Sequence, residues 1–330
     1  EPLAALFSRK SGGRPVKIVL TRADVLTATG PGAGSSIKVK IGANEKGLIT
    51  AAEIDMAYDA GGFPGGWVSS GVGVVLAPYR LENVRIDGYD VVVNKPKTAS
   101  YRAPGATNAV FAAETVIDEL AEALDMDPLD FRLLNGAVEG DRRANGVPHL
   151  HMGYHETIRA AKQHPHYQSP LDGPNRGRGV ASAFWGNWGA KSSVSASVNE
   201  DGTVNLVVGT VDLSTSRTAV AMQLAEALGL PLDAVSVKVA GTDLIAFNDT
   251  SAGSRTTYAT GLAAFELGKK MQQQMAGVAA DFWGVEAAAV TIDGPIYSGD
   301  SQQLTFAEIA KIGADGGAPV TASASVDAQD

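Results

Sequence analysis

The sequence contains no cysteine. That excludes disulfides, and it excludes a zinc or iron–sulfur site held by thiolates of this chain. It fits a reducing compartment, so a cytoplasmic location is expected, with the periplasm as the alternative. Basic residues are outnumbered, 27 Lys and Arg against 36 Asp and Glu, for a net charge of -9. No basic stripe stands out, so nucleic acid is not an expected partner. No apolar run approaches the ~20 residues that a membrane span needs. The start, Glu1-Pro2-Leu3-Ala4-Ala5-Leu6-Phe7, has no initiator Met and no cationic leader, and it opens inside a helical pattern. The end, Val320-Thr321-Ala322-Ser323-Ala324-Ser325-Val326, stops within a strand-like alternation. Both ends read as cut rather than finished.

Glycine is abundant, with 38 residues, which implies many tight turns or backbone packed closely against something. Hydrophobic residues at 45% and charged residues at 19% give an ordinary globular balance. A length of 330 residues suffices for two domains.

Residues 1–10 read as a helix, and Pro15-Val16-Lys17-Ile18-Val19-Leu20 as a buried strand. Ile37, Val39 and Ile41 alternate with polar residues up to the turn Asn44-Glu45-Lys46-Gly47, and 48–58 returns to complete a hairpin. A second hairpin joins 193–198 to 203–208 through Asn199-Glu200-Asp201-Gly202. The two hairpins suggest two domains built on similar antiparallel ribbons, without establishing a repeat. Ala109, Ala113, Ile117, Leu120 and Leu124 lie on one face of a helix over 108–124, capped by Asn108 or Thr107. A short second helix opens at Asp127-Pro128. Residues 136–178, rich in Gly, Pro, Asn, His and charge, hold the domain linker and one short helix near 155–162. Helices follow at 215–228, 260–282 and 306–311, with a strand at 235–239 and a polar loop at 242–256. Helices and strands alternate loosely, which indicates a mixed α and β chain rather than a regular βαβ series.

Three strand–loop–helix junctions carry the candidate chemistry. In Ser100-Tyr101-Arg102-Ala103-Pro104-Gly105-Ala106 an arginine stands just before a helix start. Unpaired N–H groups and the positive end of the helix dipole bind anions there, and the guanidinium fork suits phosphate or carboxylate. Gly209-Thr210-Val211-Asp212-Leu213-Ser214-Thr215-Ser216-Arg217-Thr218 and Asp249-Thr250-Ser251-Ala252-Gly253-Ser254-Arg255-Thr256-Thr257 are dense in hydroxyls and backbone donors. Each loop alone reads either as an anion site or as an ordinary helix start on the surface. Helices starting around a common point would build one polar pocket. The five histidines fall between 149 and 166 without a zinc motif, so no direct metal ligand is expected. Gly30-Pro31-Gly32-Ala33-Gly34-Ser35-Ser36 lacks the Gly-Lys-Ser/Thr ending of a P-loop and reads as a flexible turn. Phe184, Trp185 and Trp188 line a substrate pocket or pack an interface, and the sequence leaves both open.

Taken in order, these pieces resemble the molybdopterin-binding large subunit of the xanthine dehydrogenase/aldehyde oxidase family, the molybdenum hydroxylases. The similarity rests on Arg14-Pro15-Val16-Lys17-Ile18-Val19-Leu20-Thr21-Arg22, on 100–106, on Ala112-Ala113-Glu114, Asp118-Glu119-Leu120-Ala121 and Met126-Asp127-Pro128-Leu129, on Gly177-Arg178-Gly179 and on Gly253-Ser254-Arg255-Thr256. The resemblance implies an α+β fold of two mixed α/β molybdopterin-binding domains with antiparallel ribbons and long helices. The expected boundaries are 1–140 for part of the first domain, 141–175 for a linker and 176–330 for part of the second. It implies a molybdenum cofactor on molybdopterin, often extended as a cytosine dinucleotide, with FAD and 2Fe-2S centres in partner chains. The implied partners are another chain or segment of the molybdenum subunit, an iron–sulfur subunit and a flavin subunit.

Carried over residue by residue, Arg102 and Ala103 would contact the pterin or the metal's ligands. Asp212, Leu213, Ser214, Gly253, Ser254 and Thr256 would hold the pterin and its phosphate tail. Pro104 falls where many relatives place a substrate-facing aromatic, and Trp185 would join that pocket. Ser70 falls where purine-oxidising members carry an arginine, which argues against xanthine. The reaction implied is hydroxylation of an N-heteroaromatic or aldehyde with oxygen from water. Two departures qualify this. Leu213-Ser214-Thr215 stands where the family has Gly-Gln-Gly. The family's Gly-Gly-Phe-Gly motif and its general-base glutamate are expected outside the chain, which then holds the middle of the subunit. The alternative is a non-catalytic or split-chain scaffold that needs partner chains for any activity.

Overall fold

Both hairpins expected from the alternating pattern form, and the same turn closes each. In the computed structural model, which describes residues 2–213, 215–299 and 301–328, strands β1 (Ser35–Ala43) and β2 (Ile49–Gly61) run antiparallel. The Gly47 amide donates to the Asn44 carbonyl at 2.8 Å, and Gly47 sits at φ 82°. In the second hairpin the Gly202 amide donates to Asn199 at 2.9 Å, with φ 81°. That left-handed backbone costs glycine nothing, so an Asn-Glu-x-Gly tetrapeptide sets the register in both places.

The chain divides into two units, Glu1–Trp185 and Gly186–Asp330. The first also contains α1 (Pro2–Lys10), α2 (Arg22–Ala28), α3 (Val68–Val74), β3 (Val84–Val92), α4 (Ala106–Ala123), α5 (Pro128–Asn135), α6 (Tyr154–Gln163) and α7 (Pro165–Gln168). Strand β3 pairs parallel with β2, and α3 makes the crossover. Ile54, Met56 and Tyr58 of β2 pack on Ala109, Ala113 and Ile117 of α4, where the alanines let helix and sheet approach closely.

The second unit holds β4 (Lys191–Val198), β5 (Val204–Val208), α8 (Ser216–Leu228), β6 (Val235–Val239), α9 (Gly261–Trp283), β7 (Thr291–Asp293), β8 (Ile296–Gly299), β9 (Gln302–Thr305), α10 (Phe306–Asp315) and β10 (Thr321–Asp327). Its main sheet has the order β10-β4-β5-β6, with β4 and β5 antiparallel and β5 and β6 parallel. Hairpin, crossover helix, parallel third strand, loop and long helix therefore follow one another identically in both units. The repeat that the hairpins did not establish is a repeat of architecture. The βαβ crossovers were invisible to periodicity because parallel pairing joins segments distant in sequence.

Three expectations are corrected. Pro15–Leu20 forms no strand, and Ile18, Val19 and Leu20 are exposed. An apolar run becomes a strand only against an edge, and among the described residues none pairs with it. The segment 141–175, expected as a linker, packs within the first unit. His149 Nε2 lies 3.0 Å from the Ala77 carbonyl, Ile158 is buried, and the Tyr154 and Ser182 hydroxyls are 2.7 Å apart. His149 and Ile158 anchor it to the body of the unit, while most of its polar side chains stay at the surface. The Gly30–Ser36 segment is not a free turn: Ala99 donates to Pro31 at 2.9 Å, and a Cβ at Gly30 would lie 1.8 Å from the Lys97 oxygen. No helix among the described residues is long and apolar enough to cross a membrane.

Tyr297 on β8 is fully buried, and its hydroxyl has no hydrogen-bond partner among the described residues. Burial pushes its ionisation up. An unpaired buried hydroxyl carries its desolvation penalty in the folded state only, so Tyr297→Phe should leave stability unchanged or raise it by ~1 kcal/mol. A clear drop in the thermal midpoint would refute this reading and reveal a partner for the hydroxyl.

Candidate functional site

The loop leading into α4 turns on two left-handed residues, Ala103 at φ 53° and Gly105 at φ 81°. The expected caps do not form. Gly105 occupies the N-cap position without a side-chain bond, and Asn108 instead donates to Ala33 O and Ser35 Oγ. The backbone N–H groups of Thr107 and Asn108 find no acceptor among the described residues, so the positive end of α4 stays open. Arg102 is exposed and makes no ion pair among the described residues. Pro104 and Ser70 are half-buried, the latter within α3, whose N-cap Trp67 is itself left-handed at φ 67°. Gly105 is pinned from two sides. The Tyr58 hydroxyl donates to its carbonyl at 2.6 Å, and a Cβ there would lie 2.1 Å from the Trp67 oxygen. Burial pushes the Tyr58 pKa up to about 12, which keeps that hydroxyl a donor.

A buried ionic cluster fixes α4 from behind. Glu114 accepts from Arg132 Nη2 at 2.8 Å and Nε at 3.1 Å, from the Ser182 amide at 2.5 Å, and from the Tyr79 hydroxyl. Arg132 is fully buried and also donates to Val180 O at 3.0 Å. Asp118 Oδ1 stands 2.8 Å from Arg132 Nη2, outside hydrogen-bonding geometry.

In the second unit the corresponding loops leave the carboxyl ends of the parallel strands β5 and β6, where open α/β sheets bind ligands. Helices α8 and α9 run in the same sense, since Gly261 meets Gln223 and, further along both, Gly268 meets Leu224 and Ala227. Their amino ends therefore open on one side of this unit. Neither start is capped by its N-cap side chain. At α8 the Asp212 carboxylate folds back onto the helix. It accepts from the Arg217 amide at 3.3 Å, Arg217 Nε at 2.8 Å and Ser216 Oγ at 3.2 Å, and these Arg217 contacts hold its pKa below the usual carboxylate range. Leu213 is exposed, and Ser214 lies outside the described residues.

Thr215 sits at φ 74°, in the position where the resemblance expects the last glycine of Gly-Gln-Gly. A β-branched residue is strained there by ~1–2 kcal/mol, and glycine adopts the geometry freely at an entropic cost of ~0.5–1 kcal/mol. Thr215→Gly should thus stabilise the unit by ~0.5–1 kcal/mol in urea unfolding. A destabilisation would show that the threonine is held by contacts of its own.

In the loop before α9, Gly253 at φ 58° accepts from the Trp188 amide at 2.8 Å. Arg255 is fully buried and donates to Gly189 O at 2.8 Å, Asp249 O at 3.0 Å, Lys191 O at 2.5 Å and Ser192 Oγ at 2.7 Å. It rivets the loop and has no fork left for a ligand. Thr256 is also buried, whereas Ser254, Thr257 and Tyr258 face outward. They border an open depression of about 500 Å³ with Asn187, Gln223 and Phe265. The segment Thr256–Thr260 is a π-turn, a form that recurs at functional sites. Sequence alone named Thr257 only as part of the hydroxyl-rich loop and missed Tyr258, Asn187 and Gln223. The hydroxyl density of the loop pointed toward Tyr258, the next residue; Asn187 and Gln223 come from other parts of the unit and carried no local signal. Trp185 is half-buried in the first unit.

Residues 1–136 and 149–329 each match a family model described as the molybdopterin cofactor-binding domain. The chain belongs to the molybdopterin cofactor-binding domain family. Among its relatives is a putative xanthine dehydrogenase molybdenum-binding subunit of Escherichia coli strain K12, 28% identical over 276 residues, covering 78% of this chain and 37% of that protein. Another is the aldehyde oxidoreductase molybdenum-binding subunit of Escherichia coli O157:H7, 29% identical, covering 72% of this chain and 33% of that one. The chain spans about a third of the length of these curated relatives. Quinoline 2-oxidoreductase from Pseudomonas putida 86 shares the fold, with TM-score 0.81 and 20% identity over 99% of this chain and 47% of that one. The residues present suit an anionic cofactor: open helix starts, outward hydroxyls, and an acid, Asp212, already neutralised by Arg217.

Proposed function

We propose that this chain is the molybdenum-cofactor-binding portion of an oxidoreductase that hydroxylates an N-heteroaromatic or aldehyde substrate with water as the oxygen source. The observation that carries the reading is the pair of molybdopterin cofactor-binding matches, which together span nearly all of the chain. When bound, the cofactor supplies the redox centre for that hydroxylation. The chain's own residues bind and orient it. Ser254, Thr257 and the free amides at the start of the π-turn receive the phosphate tail, which the cytosine dinucleotide form of the cofactor would extend, beside Gly253, Leu213 and Asp212. Arg102 and Ala103 present the first unit's donors to the pterin, with Ser70, Pro104 and Trp185 toward the substrate. A glutamate base, the FAD and the 2Fe-2S centres belong to segments or chains outside these residues, in a cytoplasmic complex. Metal analysis of the enzyme isolated with its natural partners tests this. About one molybdenum per chain is expected, and its absence would sink the proposal.

A second reading, a scaffold domain without catalytic function, is favoured by one feature: Leu213-Ser214-Thr215 in place of Gly-Gln-Gly. It predicts a complex that assembles normally and contains neither molybdenum nor pterin.

A further inference from the structure

We infer that Gln223, a residue of α8 with no assigned role, is the positioning residue that shapes the amino end of α9 for its anionic ligand. This rests on the cofactor reading above. In a regular helix the Thr257 carbonyl would accept from the amide of Gly261, four residues on. Here the Gly261 amide donates to Tyr258 O instead, so Thr257 O loses that α-helical donor. Gln223 Nε2 donates to that oxygen at 3.1 Å. The fit is tight on the other side as well. A Cβ at Gly261 would lie 1.9 Å from Gln223 Oε1, so only glycine admits the carboxamide between the two helices.

The opposite side of the same turn is locked independently. The Ser192 and Thr260 hydroxyls are 3.1 Å apart, and Arg255 donates to Ser192 Oγ at 2.7 Å. With strand β4 holding one side and Gln223 the other, the turn keeps its wide π register. That register places Ser254, Thr257 and Tyr258 on the wall of the depression while Thr256 stays buried. A regular α-turn would rotate the following residues by roughly one position and change which hydroxyl and which amides face out. Gln223 itself lines the depression, with one N–H of its carboxamide committed to Thr257 O. It acts through the backbone rather than on the ligand.

The test uses the enzyme purified with its natural partners and measures released pterin per chain, the thermal midpoint, and amide hydrogen exchange at Thr260 and Gly261. Gln223→Leu should keep the midpoint within a few degrees, lower retained pterin about tenfold, and speed exchange at the two amides. Wild-type pterin retention with unchanged exchange would overturn the assignment. Should that variant fold poorly, Gln223→Ala combined with Gly261→Ala decides, because the new methyl fills the space the carboxamide left. Restored stability with pterin still low supports a positioning role, and restored pterin refutes it. Wild-type enzyme free of pterin would defeat the cofactor reading instead, and the exchange rates would then decide the local role of Gln223 alone.

Discussion

Glu114→Ala is expected to remove about 3–5 kcal/mol from the stability of the first unit. The carboxylate is 4% exposed and serves three partners from three parts of the chain: Arg132 of α5, Tyr79 and the Ser182 amide. Its removal leaves a fully buried guanidinium with the Val180 and Pro128 carbonyls and, as its one remaining carboxylate, the partly exposed Asp118 at a poor angle, and it strips the Tyr79 hydroxyl and the Ser182 amide of their acceptor. Burial, with the charge of Glu114 adding to it, holds the Tyr79 pKa well above the tyrosine range, so this hydroxyl remains a donor near neutral pH. Glu114→Gln should be milder but still costly, because its NH2 group would meet another donor. Replacing the pair together, Glu114→Leu with Arg132→Met, should recover most of the loss, since a buried ion pair is often no better than apolar packing of similar volume. Urea unfolding of each variant gives the values. A loss below ~1 kcal/mol for Glu114→Ala would mean that water reaches the cluster and replaces the carboxylate.

Gly105→Ala is the second large expected effect, and it bears on the site itself. The residue sits at φ 81°, where an alanine costs ~1–2 kcal/mol in backbone strain. The new Cβ would also lie 2.1 Å from the Trp67 carbonyl, a backbone atom that yields only if α3 or the loop shifts, and overpacking of this kind costs a further ~1–3 kcal/mol. The carbonyl of Gly105 would leave the Tyr58 hydroxyl, and the open amides of Thr107 and Asn108 would change direction. The expected result is a thermal midpoint lowered by several degrees together with loss of retained pterin from the assembled enzyme. Pterin retained at the wild-type level in a destabilised variant would show that the α4 start does not contact the cofactor.

Several features were legible because they are local. The apolar spacing from Ala109 to Leu124 placed α4 within two residues of its observed span. The Asn-Glu-x-Gly tetrapeptides located both hairpins, and the strand at 235–239 and the helices after both loops were read from periodicity alone. The motifs carried the family, which the two domain matches then showed. Other features depend on what lies next to a residue in space. Arg102 and Arg255 stood in similar loops before similar helices. Packing left the first exposed and buried the second among carbonyls. Pro15–Leu20 had the composition of a strand but found no edge, and the 141–175 segment looked like a linker because most of its polar groups face solvent, while a few anchors such as His149, Tyr154 and Ile158 tie it to the unit.

The sequence by itself thus determined the local elements, the turns and the family, because helix periodicity, turn chemistry and motif order are short-range properties. The tertiary structure decided the parallel crossovers, the buried Glu114–Arg132 cluster, the open helix starts and the Gln223 contact with the π-turn. Each of those is set by long-range packing that fixes which polar groups find partners and which remain free for a ligand.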